Sequence, residues 1–497
     1  MTQNYADGIP TPQRYGAILT IAISISLAVL DGAIANVALP TIARELHASP
    51  ATSIWVINAY QLSIIMTLLS FATLGDIYGY RRVYQCGLAV FTLMSLICAL
   101  SDNLWMLISA RVLQGFGAAA LMSINTALIR IIYPSRLLGR GIAINTLVVA
   151  VSTAAGPTVA AGVLSVASWQ WLFAINVPIG MLAFYLGRRF LPANAQNNSG
   201  QRFNGFSALM NALTFGLLLS ALGGFSQRLS GQWILIELAL AAVAGVFFVR
   251  HQLRQPWPLL PVDLFRIPLF SLSMGTSICS FCAQMLAMVS LPFYLQSVLG
   301  RSEVATGLLL TPWPLATMLL AMVAGRLIGR VNSGLLGAVG LAAFALGLFS
   351  LAWLPAMPGD GEIIWRMMLC GAGFGLFQSP NNHTIITSAP RNRSGGASGM
   401  LGTARLFGQT SGAALVALMF NLFGTAGTHA ALVLAGCFAT AAALVSALRI
   451  RQPTPQRQDV RTGSAQGTAA DKTAALDASA AGATADTTAE NRARNVR

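Results

Sequence analysis

The sequence is poor in charge. Of its 497 residues only 9% are Asp, Glu, Lys or Arg, while 55% are apolar. A soluble domain carries about a quarter charged residues to cover its surface, so a water-soluble globular enzyme is excluded. Lysine is almost missing: of the 30 basic residues only Lys472 is lysine, and it lies near the C-terminus. A phosphate-gripping G-x-x-x-x-G-K-[ST] loop is therefore excluded, and with it ATP hydrolysis of that kind. Schiff-base lysine chemistry is excluded from the apolar region as well. Metal-site spacing is also lacking. The six cysteines, Cys86, Cys98, Cys279, Cys282, Cys370 and Cys437, fall inside or at the ends of apolar runs. Cys279 and Cys282 would share a helical face, but His383 is the only histidine within an apolar span. The cysteines read as small apolar residues, and no disulfide framework is implied.

What the chain has instead is long apolar runs. They are not the alternating segments of about ten residues that build a membrane barrel. Fourteen are readable, near 17–39, 54–75, 83–100, 104–132, 141–165, 169–187, 206–224, 233–249, 270–295, 304–328, 335–355, 363–388, 400–423 and 430–448. At about 20 residues per span, roughly 280 residues would lie in a bilayer. The expected fold class is an all-α integral membrane protein. The first span follows a weak basic region (Arg14 alone) and carries Asp31 and Asn36, which reads as an uncleaved signal anchor.

The basic residues predict the orientation. Alternate loops carry Arg81 and Arg82; Arg130, Arg136 and Arg140; Arg188, Arg189 and Arg202; Arg250, Arg254 and Arg266; Arg326 and Arg330; and Arg391 and Arg393. The intervening loops carry only Arg44, Arg228 and Arg301, together with the acids Asp102, Asp360 and Glu362. Positive residues stay on the cytoplasmic side, which predicts two cytoplasmic termini and an even number of spans. Topology thus accounts for most of the +15 net charge, and no nucleic-acid partner is expected. The segment from residue 451 is rich in Ala, Thr, Gln and Asp, with too few large apolar residues to fold, and is expected to be a disordered tail.

An internal symmetry is present. Arg111-x-x-x-Gly115-x-Gly117 in the fourth span has a counterpart in Arg366-x-x-x-x-Gly371-x-Gly373-x-Gly375 in the twelfth. Spans 1–6 and 9–14 then read as parallel repeats, with spans 7 and 8 inserted. Transporters with such halves bind substrate between them near the midplane. The expected organisation is an N-terminal segment 1–15, a six-helix bundle 16–190, a linker with two inserted helices 191–255, a second six-helix bundle 256–450 and the tail 451–497.

An ionisable group inside hydrocarbon costs about 2.5–3.5 kcal/mol on insertion scales, so each one needs a reason. The spans contain Asp31, Arg111, Glu237, Arg366, His383 and Arg405, with Asp76 at an inner edge. At 1.5 Å per residue, Asp31 lies about 12 Å from the outer end of its span and Arg111 about 10 Å from the same side, so the two share a depth. Burial favours a neutral carboxyl and a nearby arginine favours the charged form. We therefore expect Asp31 to be the protonation site and Arg111 to tune it, against the plainer reading of a static ion pair. A cationic substrate could compete for the same carboxylate. Glu237 is expected to be an interfacial, snorkelling acid. His383 follows Pro380-Asn381-Asn382, where a proline-broken helix frees carbonyls that can line a cavity.

Several motifs carry a family resemblance. Leu30-Asp31-Gly32-Ala33-Ile34-Ala35-Asn36-Val37-Ala38-Leu39-Pro40, Leu74-Gly75-Asp76-Ile77-Tyr78-Gly79-Tyr80-Arg81-Arg82, Arg111-Val112-Leu113-Gln114-Gly115-Phe116-Gly117 and Gly156-Pro157-Thr158-Val159-Ala160-Ala161-Gly162 stand in order. Trp169-Gln170-Trp171-Leu172-Phe173-Ala174-Ile175-Asn176-Val177-Pro178 and Leu291-Pro292-Phe293-Tyr294-Leu295-Gln296 follow. Over about residues 15–450 the chain resembles the fourteen-spanner drug:proton antiporters of the major facilitator superfamily (the EmrB/QacA type) and looks most like its YebQ-like members. The sequence departs from the usual motifs at Ala72, Ile77, Ala160, Ala161 and Asn204.

The resemblance implies a major facilitator fold, with about fourteen transmembrane helices in two six-helix halves plus two inserted ones. It assigns Asp76, Gly79, Arg81 and Arg82 to a gating motif and Gly156, Pro157 and Gly162 to an antiporter motif. Asp76 ends an inward-running helix, where a negative charge opposes the macrodipole and seeks a positive partner. The candidates are Arg130 and the helix start near Gly395–Gly399, the latter forming a cytoplasmic latch between the halves. Gly115, Gly117, Gly156 and Gly162 would let helices approach closely, and Pro157 would kink its helix. The expected substrate cavity draws on Trp55, Asn58, Tyr60, Asn125, Phe281, Gln284, Met285, Phe293, Tyr294, Gln296, Asn381 and Asn382, where Met and aromatic surfaces suit varied ligands.

The expected activity is export of small amphipathic, often cationic, drugs or toxic compounds across a bacterial inner (cytoplasmic) membrane in exchange for protons. No cofactor is expected, because one charge moved is worth about 2.3 kcal/mol per 100 mV. With Asp31 as the one coupling acid, one proton would enter per cycle. Membrane lipid is the other expected partner, and periplasmic or outer-membrane efflux partners are left open. The alternatives are an exporter of a specific metabolite, siderophore or peptide and, more remotely, a membrane sensor without flux.

Overall fold

The computed structural model describes residues 8–134, 137–192, 203–226, 231–255, 260–355, 357–390 and 394–451. The tail beyond Arg451 and the loop arginines Arg136, Arg202, Arg228, Arg391 and Arg393 lie outside the described residues. The described chain is helical almost throughout. Its helices are α1 (Thr11–Glu45), α2 (Pro50–Ser53), α3 (Trp55–Tyr78), α4 (Tyr80–Ala99), α5 (Leu104–Ile132), α6 (Leu138–Leu164), α7 (Gln170–Ala174), α8 (Asn176–Phe190), α9 (Gly205–Ser226), α10 (Gly231–Leu253), α11 (Pro268–Phe293), α12 (Glu303–Leu310), α13 (Pro312–Leu327), α14 (Ser333–Ala352), α15 (Asp360–Ser388), α16 (Ser394–Phe423) and α17 (Gly427–Leu448). Local chemistry sets the boundaries. Ser49, Asn103, Ser302 and Asn332 cap helix starts by accepting from backbone N–H groups two or three residues on. Gly79, at φ 94°, makes the turn from α3 into α4, a backbone that glycine adopts without strain.

Each of the fourteen expected spans falls on helix. Among the described residues, twelve helices are long and apolar enough to cross a membrane. The other two expected spans are α9, whose apolar stretch is Gly205–Ala221, and α15. The latter has 29 residues but is diluted by Gln378, Asn381, Asn382 and His383.

The helices pack as two sets of like design. In the first, α3 and α4 lie on α5, and α1 packs on α6 and α8. In the second, α13 and α14 lie on α15, and α11 packs on α16 and α17. The glycines mark the equivalence. A Cβ on Gly117 of α5 would sit 2.7 Å from the Gly87 carbonyl of α4, and one on Gly373 of α15 would sit 2.5 Å from the Gly340 carbonyl of α14. Gly115 lies likewise against the Tyr60 carbonyl, and Gly371 against that of Trp313. The α9–α10 pair rests on α3 and α16, and the two sets meet through α3–α16, α6–α12 and α1–α11.

Candidate functional site

In the first set, α1, α5 and α8 bring four polar side chains together in an apolar interior. Asp31 and Arg111 are 2% and 1% exposed, and Arg111 Nη1 donates to Asp31 Oδ2. The other carboxylate oxygen accepts from Gln114 Nε2 at 3.1 Å and Asn176 Nδ2 at 2.9 Å. Arg111 also donates to the Val56 carbonyl at 3.1 Å and to Gln114 Oε1 at 2.8 Å. Gln114 donates to Ser95 Oγ at 2.8 Å. The guanidinium lies 4.1 Å from the Tyr60 ring centroid, and the Tyr60 hydroxyl donates to the Ala28 carbonyl. Asp31 accepts three hydrogen bonds, and its charge is neutralised by one cation. Buried charges of this kind are tolerable only when paired and hydrogen-bonded.

The shared depth of Asp31 and Arg111 is thus realised as contact. Gln114 and Asn176 complete the cluster without having been assigned a role from sequence. Gln114 is three residues beyond Arg111, on the same face of one helix, and that spacing could have found it. Tyr60 belongs to this cluster rather than to an open cavity. Arg366 is not the mirror of Arg111. It stands five residues before its glycine where Arg111 stands four, and one extra residue turns it about 100° around the helix. Arg366 accordingly pairs with Glu362 on its own helix at 3.5 Å, and fully buried Met367 holds the position equivalent to Arg111.

The end of the bundle reached by α1 near Glu45, here the far end, is closed by contacts between the sets. Glu303 of α12 accepts from Thr41 Oγ1 at 2.7 Å and pairs with Arg44 at 2.9 Å. Gln296 Nε2 donates to the Val37 carbonyl at 3.2 Å. Thr158 and Thr311 share a hydrogen bond at 2.8 Å. The Gly156–Pro157 segment lies at this joint: a Cβ on Gly156 would sit 2.5 Å from Ala33 Cβ, and one on Gly307 2.6 Å from the Pro157 carbonyl. Gly162 corrects the expectation of close approach, since nothing lies within 4 Å of where its Cβ would be. Gly307 has the packing role instead. Glu303 was missed because it opens a helix beside a loop, where an acid is unremarkable.

At the opposite end, the Tyr80 hydroxyl at the start of α4 donates to Asp76 Oδ1 near the end of α3, so this acid has a partner within its own set. Arg81 donates to the Arg188 carbonyl, which ties the start of α4 to the end of α8. Arg82 borders an apolar groove of about 390 Å³ with Phe71, Tyr78 and Phe116.

The expected cavity residues divide. Phe281 and Phe293 are packed edge-on against Phe374 and Phe420, so they are core. Asn125 donates to Asn145 across α5 and α6. Met285 receives Gln61 from the first set at 4.0 Å. Trp55, Gln284, Tyr294 and Asn382 are partly exposed, and Asn58 Oδ1 is sealed without a partner. His383 is partly exposed, and its carbonyl accepts from Thr387. Glu237 does not snorkel as expected. It accepts from Ser220 of α9 at 3.4 Å, and its other oxygen is buried.

The second set holds cations of another kind. Arg449, just past α17, is 2% exposed and donates to Asn381 Oδ1 at 2.6 Å, while its Nε and Nη2 have no partner among the described residues. Asn381 in turn donates to Ser277 at 2.7 Å, so it is a brace inside the second set and not a cavity wall. Burial pulls the Arg449 guanidinium down to about 10, which leaves it charged at neutral pH. Arg405 of α16 has a sealed Nε without a partner, and among the described residues no acid pairs with it. Among the described residues no group of three or more His, Cys, Asp or Glu could hold a metal.

A family model of the Major Facilitator Superfamily matches residues 21–413. The chain is 70% identical over 453 residues to the uncharacterized transporter YebQ of Escherichia coli (strain K12), covering 91% of this chain and 99% of the relative. It is 30% identical over 410 residues to the riboflavin transporter RibZ of Clostridioides difficile (strain 630), covering 82% and 88%. It is 30% identical over 403 residues to the multidrug resistance protein Stp of Mycobacterium tuberculosis (strain CDC 1551 / Oshkosh), covering 80% and 74%.

Proposed function

The chain belongs to the Major Facilitator Superfamily and is a multi-pass membrane transporter, and from that premise we propose that it is a fourteen-span, proton-coupled exporter of amphipathic compounds. It would work in a bacterial inner membrane with both termini cytoplasmic and with its two six-helix bundles at 16–190 and 256–450. The observation that carries the reading is the closed Asp31–Arg111–Gln114–Asn176 cluster at the junction of three helices. Protonating Asp31 would cancel the attraction that holds α1 to α5 and leave Arg111 buried without a counter-ion. Such a state costs several kcal/mol, about 3–5 where one partner of a buried pair is removed, and moving α1 relieves it. The same helix carries Val37, Thr41 and Arg44 of the far-end closure. Opening the cluster and opening the far end are then one motion, and proton exchange at Asp31 belongs to the conformation in which both are open. The Asp76 loop would latch the opposite end in that conformation.

The name of the multidrug resistance relative supports a drug cargo. That of the riboflavin transporter favours the second reading, a dedicated metabolite exporter on the same machinery. Everted membrane vesicles test the function. A lumen acidified by respiration should drive uptake of compounds from an amphipathic panel, collapse of the pH gradient should stop it, and vesicles lacking the protein should show none. Gradient-independent uptake would reject proton coupling. Uptake of a single metabolite with no other compound moved would select the second reading.

A further inference from the structure

The charge of the cargo can be read from the seam between the two sets, and this rests on the exporter reading above. Gly399 and Gly402 of α16 face Leu69 and Leu68 of α3, at 3.4 and 3.5 Å from an added Cβ, and Thr410 bonds Gln61 of α3 at 3.5 Å. Gly408 and Gly412 face the carbonyls of Ile278 and Cys282 on α11, each at 2.5 Å from an added Cβ. At about 100° per residue, Arg405 falls between Gly402 and Gly408, about 60° from each. Its side chain therefore leaves α16 into the gap between α3 of one set and α11 of the other. It does so about 16 Å along the helix, well inside the span.

Among the described residues, the other charges set within the helices have partners. Asp31 is neutralised by Arg111 and hydrogen-bonded by Gln114 and Asn176. Glu303 is taken by Arg44 and Thr41 at the far end. Glu237 lies between α9 and α10. Arg449 is locked within the second set by Asn381. Arg405 is partly exposed, its Nε is sealed without a partner, and no acid pairs with it among the described residues. An unpaired cation inside a span is costly and marks a pathway. The polar groups beside it, Gln61 and Thr410, are neutral.

We propose that Arg405 is a substrate-binding residue and that the cargo is an amphipath bearing one negative group, a carboxylate or sulfonate, held by the guanidinium fork. This replaces the cationic cargo expected from the bare presence of Asp31, whose carboxylate is already neutralised by Arg111 and hydrogen-bonded by Gln114 and Asn176. The charge count changes with it. One proton entering for one monovalent anion leaving moves two elementary charges per cycle, whereas exchange for a monovalent cation moves none.

The test uses the full chain in proteoliposomes with two fluorescent probes, anionic 8-anilinonaphthalene-1-sulfonate and cationic ethidium. The wild type should bind the sulfonate saturably. Arg405→Gln should weaken that binding about tenfold to a hundredfold, Arg405→Lys should recover part of it, and ethidium should be indifferent to both changes. Equal sulfonate binding by wild type and R405Q, or saturable binding of ethidium alone, overturns the proposal. A second readout needs no variant: sulfonate export should accelerate under an interior-negative potassium diffusion potential, and a rate blind to potential counts against an anionic cargo. Arg405-dependent binding without gradient-driven movement would uphold the site while rejecting the exporter reading.

Discussion

The two helical sets share a scaffold and differ in how they treat a buried cation. In the first, Arg111 meets a carboxylate, a carbonyl, an amide and an aromatic face. In the second, the equivalent position on α15 is Met367, Arg366 has turned away toward Glu362, and the cations Arg449 and Arg405 have no acid among the described residues. The glycine crossings that define the scaffold are nonetheless matched pair for pair. Backbone packing and site chemistry are therefore separable: small residues fix the helix spacing, and one inserted residue before a glycine decides whether a charge enters the core.

The sharpest way to break this comparison is to remove one cation from each set. Arg111→Ala leaves Asp31 buried and uncompensated and should cost about 3–5 kcal/mol, seen as a large drop in thermal unfolding temperature in detergent. Arg449→Ala loses one hydrogen bond but also an unpaired buried charge, and should change stability by no more than about 1 kcal/mol. Equal costs would contradict the account of the two sets. The scaffold itself is tested by Gly117→Val and Gly373→Val, which push side chains into the Gly87 and Gly340 carbonyls. Each should destabilise by about 1–3 kcal/mol, by matching amounts if the repeats are equivalent.

A smaller effect is expected at the far end. The Arg44–Glu303 pair has one partner 68% exposed, so Glu303→Gln should shift the closed-to-open balance by only about 0.5–1 kcal/mol. Spin-label distances between α1 and α12 should show a few-fold larger open population, and an unchanged distribution would remove Glu303 from the closure. The smallest effect is expected at Arg366→Gln, within about 0.5 kcal/mol and without loss of transport. A loss comparable to that of Arg111→Ala would restore Arg366 as its counterpart.

Depth along a helix was legible in the sequence, and direction around it was not. The 1.5 Å rise brought Asp31 and Arg111 to one level, and the glycine spacing found the repeat. A soluble helix shows its buried side by its apolar stripe. Here lipid-facing and core-facing sides are equally apolar, so the pattern could not tell that Gly162 has no neighbour or that Phe293 is core, whereas the i,i+4 spacing of Glu362 and Arg366 could have been read. Arg449 reads as one more basic residue after the last span, and only the fold turns it inward onto Asn381. Glu237 was expected to reach the interface, but its partner Ser220 lies on another helix, which no periodicity reports.

The central claim is that the Asp31 carboxylate takes up and releases the coupled proton. It is tested most directly by recording proton movement and substrate movement together in proteoliposomes of the wild type and of Asp31→Asn. The account predicts that substrate addition drives proton flux in the wild type. In D31N that flux should be absent, while the protein remains inserted and still binds substrate. Substrate-driven proton movement that survives in D31N at the wild-type ratio would contradict it.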